Sequence, residues 1–101
     1  MIATFEDNGK QIGLYLREPL EVRLPESQIS GYMWQLDEKS CPCLKLFECI
    51  YVERGTARFT GLGERSWFFT TASTGECELV FSLIRPWSTP APEYVLNVVI
   101  K

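Results

Sequence analysis

Short runs in which apolar and polar residues alternate dominate this chain, and no segment repeats its apolar residues with a helical period. In residues 20–24, 77–83 and 94–100 every second position carries an apolar residue. A period of two predicts strands that turn one face toward a core. The predicted strands span residues 11–16, 20–24, 32–36, 44–52, 65–72, 76–84 and 93–101.

Turn-forming residues separate these runs at intervals of roughly ten residues. Asn8-Gly9 is a hairpin-type signal, and Pro25 is predicted to end the strand that precedes it. Trp34 lies on an early strand and is the natural core tryptophan. This spacing predicts an all-β fold, and we expect an immunoglobulin-like β-sandwich of seven or eight mostly antiparallel strands. The length suits one core, so residues 1–101 are predicted to form a single domain.

The cysteines and the apolar run at residues 44–52 leave some local structure open. The run has an ambiguous period, which suits either a strand buried on both faces or a strand with a bulge. Cys49 and Cys77 lie within apolar runs and are predicted to be buried. Cys41 and Cys43 are too close for an unstrained mutual disulfide. Paired C-x-x-C knuckles are missing, so no metal site is expected.

Composition excludes several classes of function. The net charge of −3, without a lysine or arginine cluster, argues against nucleic acid as a partner. No apolar run is long enough to span a bilayer, so no membrane association is expected. The N-terminus lacks a signal peptide, which predicts a cytoplasmic protein, or a secreted or vesicular one if a leader has been removed. Histidine is absent, which removes Cys-His and Ser-His nucleophile pairs and most zinc sites. An enzyme, including a small hydrolase, is therefore not expected, and neither is a cofactor.

Three connections stand out for their composition, at residues 26–31, 61–64 and 85–92. Loops that leave the strands of a sandwich in the same direction collect at one end, where they suit a binding surface. Ile29 is an apolar residue at the tip of a polar loop, which favours contact with a partner. Trp87 follows a rigid proline, and it either anchors a partner or folds back onto the edge of the domain.

The order of three motifs resembles the chagasin family. Gly-Tyr-x-Trp stands at residues 31–34, Gly-x-Gly at 61–63 and Arg-Pro-Trp at 85–87, and the similarity extends over residues 20–100. Members of this family are protein inhibitors of papain-like cysteine proteases. The resemblance implies a single chagasin-like inhibitor domain whose partner is a papain-like cysteine protease, and we expect it to act as a monomer.

The first family motif, Asn-Pro-Thr-Thr-Gly followed by Tyr or Phe, is altered here. Its positions are occupied by Ser27, Gln28, Ile29, Ser30, Gly31 and Tyr32. The resemblance implies that this loop enters the active-site cleft and covers the catalytic Cys-His pair. In the family a threonine of this loop contacts the catalytic pair, but here Ile29 replaces the first threonine. The polar contact with the pair is therefore either absent or made by Ser30, and Ile29 becomes an apolar plug. Gln28 replaces the proline, which softens the loop.

The second and third motifs differ in how well they match. The second loop consists of Gly61, Leu62, Gly63 and Glu64, with a glutamate where a further glycine is common. The resemblance implies a strip of bare backbone against the protease, with the charge of Glu64 narrowing target choice. Arg85, Pro86 and Trp87 match in full, and the tryptophan becomes the aromatic anchor.

Structural interpretations of the same residues stay open. Gly31 can serve a positive φ, Gly61 and Gly63 can be turn formers, and Tyr32 and Trp34 can belong to the core. The competing function is a non-inhibitory immunoglobulin-like adhesion or carbohydrate-binding module, which explains the fold and an exposed aromatic but not three motifs in this order.

Overall fold

The described part of the computed structural model consists of residues 1–27, 33–37, 42–53, 62–85 and 87–101. These residues form eight strands and one short 3-10 helix, at Phe5–Asp7. The strands are β1 (Ile2–Ala3), β2 (Gln11–Leu14), β3 (Leu20–Ser27), β4 (Met33–Leu36), β5 (Leu44–Glu53), β6 (Leu62–Thr71), β7 (Gly75–Arg85) and β8 (Ser88–Ile100). None of the described residues forms a helix with the length and apolarity to cross a membrane.

The strands form two four-stranded sheets, in the orders β1-β3-β6-β5 and β2-β8-β7-β4. β1–β3 and β2–β8 pair in parallel, and the remaining pairs are antiparallel. The prediction of an all-β, immunoglobulin-like sandwich of mostly antiparallel strands is confirmed.

The core lies between the sheets and follows the period-two pattern. Alternate residues of β3 and β6 from one sheet meet alternate residues of β7 and β8 from the other. The fully buried residues of this layer include Val22, Leu24, Phe69, Leu79, Phe81, Tyr94, Leu96 and Val98. Trp34 is 8% exposed, so its predicted place in the core is confirmed. Trp67 and Phe81 join the sheets edge to face, with ring centroids 4.7 Å apart.

The hairpin predicted at Asn8-Gly9 is wrong, because β1 and β2 belong to different sheets. The chain does turn there, and Gly9 adopts a φ of 80°, which favours glycine. The Asn8 side chain accepts a hydrogen bond from Val95 N (2.9 Å) and donates one to the Glu93 carbonyl (3.0 Å). This amide therefore pairs with β8 as a peptide group would, and the turn carries the chain across the sandwich.

Pro25 does not end its strand, since β3 continues to Ser27. Among the described residues, β1 pairs only with Glu21 and Val22 of β3, which leaves the later part of β3 as a sheet edge, where proline is tolerated. The same reason explains β8, which begins at Ser88 although residues 88–92 were predicted as loop. Within the part of the chain that the structure describes, β2 pairs only with residues from Asn97 onward, so the proline-containing start of β8 is also an edge.

β5 contains a bulge, as one of the two alternatives predicted. The register shifts between Leu46 and Glu48, and the intervening Phe47 is 58% exposed, so the strand is not buried on both faces. Burial of Cys49 and Cys77 is not observed. Cys49 is exposed with a free thiol, and Cys77 is half-buried and disulfide-bonded.

Candidate functional site

The strand ends that flank the three motif-bearing connections meet at one end of the sandwich, which we call the loop end. Ser27, the last residue of β3, pairs with Leu62, the first residue of β6. In the other sheet, Met33 at the start of β4 pairs with Ile84, and β7 turns into β8 through the Arg85–Ser88 pair. The chain therefore enters and leaves all three connections at this end.

Several predicted site residues lie outside the described residues. These are Gln28, Ile29, Ser30, Gly31, Tyr32, Gly61 and Pro86. Others that were predicted as loop belong to strands: Ser27 to β3, and Leu62, Gly63 and Glu64 to β6. The third connection is also shorter than residues 85–92, because β7 extends to Arg85 and β8 begins at Ser88.

Trp87 lies in this short connection and is 70% exposed. The interpretation in which its indole folds back onto the domain edge therefore does not describe the structure. A large apolar side chain held in solvent by a two-residue connection is available to a partner, and indole combines a large contact area with few rotatable bonds.

Arg85 braces the base of that connection. Its guanidinium donates to the Glu93 carboxylate through Nη1 (2.8 Å to Oε1) and Nη2 (3.3 Å to Oε2). Both side chains are about one-third exposed, so the pair contributes at most about 1 kcal/mol to stability. Its two-pronged geometry ties β7 to β8 just beside Trp87 and orients the turn.

Glu26, predicted as the first residue of a loop, is instead a buried residue of β3, 2% exposed. It follows Leu20, Val22 and Leu24 on the face that points into the sandwich. Its Oε1 accepts the backbone N–H of Trp34 at 3.0 Å, which links β3 to β4 in the opposite sheet. The indole Nε1 of Trp34 donates to the Pro25 carbonyl at 2.7 Å, so two hydrogen bonds join these strand ends.

Arg65 of β6 provides the counter-charge for Glu26. Its Nε lies 3.0 Å from Oε1 and 2.9 Å from Oε2, and its Nη2 lies 2.8 Å from Oε2. The hydrogen bond to Glu26 raises the pKa of Arg65, against the opposing effect of burial, so the guanidinium stays charged. The guanidinium also lies 5.5 Å from the ring centroid of Tyr51 and 3.7 Å, through Nη1, from the Cys49 sulfur.

Gly63 makes room for Tyr51. A Cβ at this position would lie 2.5 Å from Tyr51 Oη and 2.6 Å from the Val52 carbonyl oxygen. The structure therefore gives Gly63 a packing role within β6 rather than that of a turn former. Glu64 next to it is half-buried and pairs in register with Pro25 and Val52.

Sequence reasoning placed Glu26 in the connection at residues 26–31 but missed its burial, and it missed Arg65 as part of this site. The available signal was the alternation of β3, which places Glu26 on the buried face if the strand is extended past Pro25. The sequence predicts Arg65 only as the first residue of the strand at residues 65–72. Nothing local indicates that the two side chains meet, because they are 39 residues apart.

The two sheets and the loop end define an immunoglobulin-like sandwich in which the flanks of the three connections meet at one end. A protein-family profile, described as "Chagasin family peptidase inhibitor I42", matches residues 14–100. The chain therefore belongs to the chagasin family, and it is a cysteine protease inhibitor rather than an enzyme.

Solved structures support the fold. The cysteine protease inhibitor EhICP2 from Entamoeba histolytica aligns with a TM-score of 0.81 at 15% identity, covering 99% of this chain and 94% of that one. Amebosin aligns with a TM-score of 0.77 at 24% identity, covering 100% and 97%. PbICP-C, solved in complex with falcipain-2, aligns with a TM-score of 0.59 at 16% identity, covering 100% and 90%. No curated protein matches the chain significantly.

Proposed function

We propose that this chain inhibits papain-like cysteine proteases by placing its loop end in the active-site cleft, where it blocks substrate without being processed. The observation that carries the proposal is Trp87, which is 70% exposed on a connection braced by Arg85 and Glu93. Beside it lie the strand ends of the other two motif-bearing connections.

The three contacts have different roles in this proposal. Trp87 is the anchor, since buried aromatic residues dominate the energy of protein interfaces. Ile29 fills the cleft as an apolar plug, with Ser30, Gly31 and Tyr32 beside it in the first loop. Gly61 and Leu62 offer backbone to the protease, Gly63 supports them by its packing within β6, and Glu64 adds a negative charge that favours a positively charged rim on the target.

Rigidity explains how such a surface can bind tightly. The strands that flank the connections are held by sheet pairing and by the contacts of Glu26 and Arg85, so little conformational entropy is lost on docking. In this proposal the chain acts as a monomer in a one-to-one complex. One similar structure was solved in complex with falcipain-2, which supports a protease as the partner.

Progress curves with papain and a cathepsin-type enzyme on a fluorogenic peptide test the proposal. We expect competitive, reversible inhibition at sub-micromolar concentration, and an inhibitor of unchanged mass after incubation. A second arm uses protease whose catalytic cysteine has been alkylated by a small reagent. An occluding inhibitor still binds this inactive enzyme, whereas one that depends on covalent attack does not.

Failure to inhibit or bind either enzyme at about 10 μM would contradict the proposal for these targets. Retention on glycan or cell-surface ligands in the same preparation would then favour the adhesion or carbohydrate-binding module. The assay therefore separates the two functions directly.

A further inference from the structure

Glu26 is an unusual residue for the place it occupies. A carboxylate with 2% exposure loses most of its hydration, and replacing such a buried ion pair with apolar residues is often neutral or stabilising. Leu24, one step earlier on the same face of β3, shows that apolar residues fill the adjoining position. Stability alone therefore does not explain why a charge stands here.

The contacts of Glu26 bind together the strand ends around the first connection. Residues 28–32 connect β3 to β4; Glu26 is the second-last residue of β3, and Trp34 is the second residue of β4. The hydrogen bond from Trp34 N to Glu26 Oε1 crosses from one sheet to the other. One carboxylate thus sets the separation of the two sheets where the first loop leaves and returns.

The same carboxylate reaches the strands around the second connection through Arg65. This arginine lies on β6, which follows residues 54–61, and its guanidinium faces Tyr51 on β5, which precedes them. The absence of a side chain at Gly63 allows the Tyr51 phenol to occupy this position. Glu26 and Arg65 therefore contact strands on both sides of the first two loops.

We propose that the Glu26–Arg65 ion pair is a positioning device that holds the first and second loops at the spacing needed to enter the protease cleft together. The inference rests on the proposed function and adds two residues that need not touch the protease. An ion pair with fixed bidentate geometry sets a distance and an angle between strands, which apolar contacts do not do.

Glu26→Gln and the double variant Glu26→Leu/Arg65→Met test this role. The amide of Glu26→Gln can still accept from Trp34 N but loses the charge that orients Arg65. The apolar double variant removes the charges together and should recover much of the stability lost in Glu26→Gln. If the pair positions the loops, the inhibition constant of each variant rises by about tenfold or more, mainly because association is slower. Both variants are nevertheless folded.

Two measurements separate positioning from plain stability. Inhibition is compared well below the unfolding transition of every variant. Hydrogen exchange of amides in residues 27–33 and 53–62 is expected to accelerate in both variants, with no change in the centre of β7 and β8. Glu21→Gln is the matched control, since it neutralises the carboxylate of an ion pair on the outer face of β3, with Arg23, and should change inhibition by less than about twofold.

Inhibition by Glu26→Gln or by the double variant within about twofold of the parent protein would overturn the inference, as would an equal loss in Glu21→Gln. If the parent protein inhibits no protease, the proposed function fails, and hydrogen exchange still decides the positioning role. Faster exchange confined to the two flanks then supports it, and uniform or unchanged exchange overturns it.

Discussion

Replacing Trp87 with alanine should separate binding from folding more sharply than any other single change. The indole is 70% exposed, so about 175 Å² of its surface, out of roughly 250 Å², is available to a partner. At about 25 cal/mol per Å², complete burial of that area is worth about 4 kcal/mol, and half burial about 2 kcal/mol. The expected loss of affinity for Trp87→Ala is therefore about 30-fold to 1000-fold.

The cost to folding is much smaller. Roughly 75 Å² of the indole is buried within the chain, and the unfolded state already covers part of that surface, so we expect a loss of about 1 kcal/mol in the free energy of unfolding. Inhibition constants from progress curves and urea unfolding midpoints, measured on the same preparations, give the two quantities.

Tyr15→Ala is the matched control for this experiment. Tyr15 is 73% exposed, like Trp87, but it follows Leu14, whose partner Ile100 lies at the end of the sandwich opposite the loop end. It should leave inhibition unchanged. The reasoning is refuted if Trp87→Ala inhibits like the parent protein, or if it loses more than about 3 kcal/mol of stability, as a core tryptophan would.

Three further predictions concern stability and the third loop. Burial raises the pKa of Tyr94 to about 12, so the neutral phenol stabilises the fold. The stability that the neutral phenol contributes is complete below about pH 10, and about 2–3 kcal/mol of it is lost as pH rises toward 12. The urea unfolding midpoint of Tyr94→Phe should therefore fall less over this alkaline range than that of the parent protein. Gly63→Ala should destabilise by about 1–3 kcal/mol in thermal melts because its Cβ would meet Tyr51; no loss would contradict that contact. Glu93→Gln, which loosens Arg85, should weaken inhibition about threefold to tenfold with a stability loss under about 1 kcal/mol; unchanged inhibition would exclude the brace.

Much of the fold could be predicted because strand alternation is a local property. The alternation in residues 20–24 and 94–100 predicts which side chains are buried. The structure buries Val22, Tyr94 and Leu96, as that pattern requires. The ordered motifs indicated which connections to examine, and the strand registers bring their flanks to one end. Exposure of Trp87 was left open by its local sequence, since the same residues suit a packed or a free indole.

Sequence alone thus determined most of the strands, the apolar face of those that alternate and the three candidate connections, because backbone geometry makes neighbouring side chains alternate whatever lies beyond them. Tertiary structure decided which strands pair, and hence that Pro25 continues a strand at a sheet edge and that Asn8 carries the chain between sheets. It also decided that Glu26 is buried. A carboxylate can be buried there only because Arg65, brought beside it by the pairing of β3 with β6, supplies the charge that offsets its lost hydration.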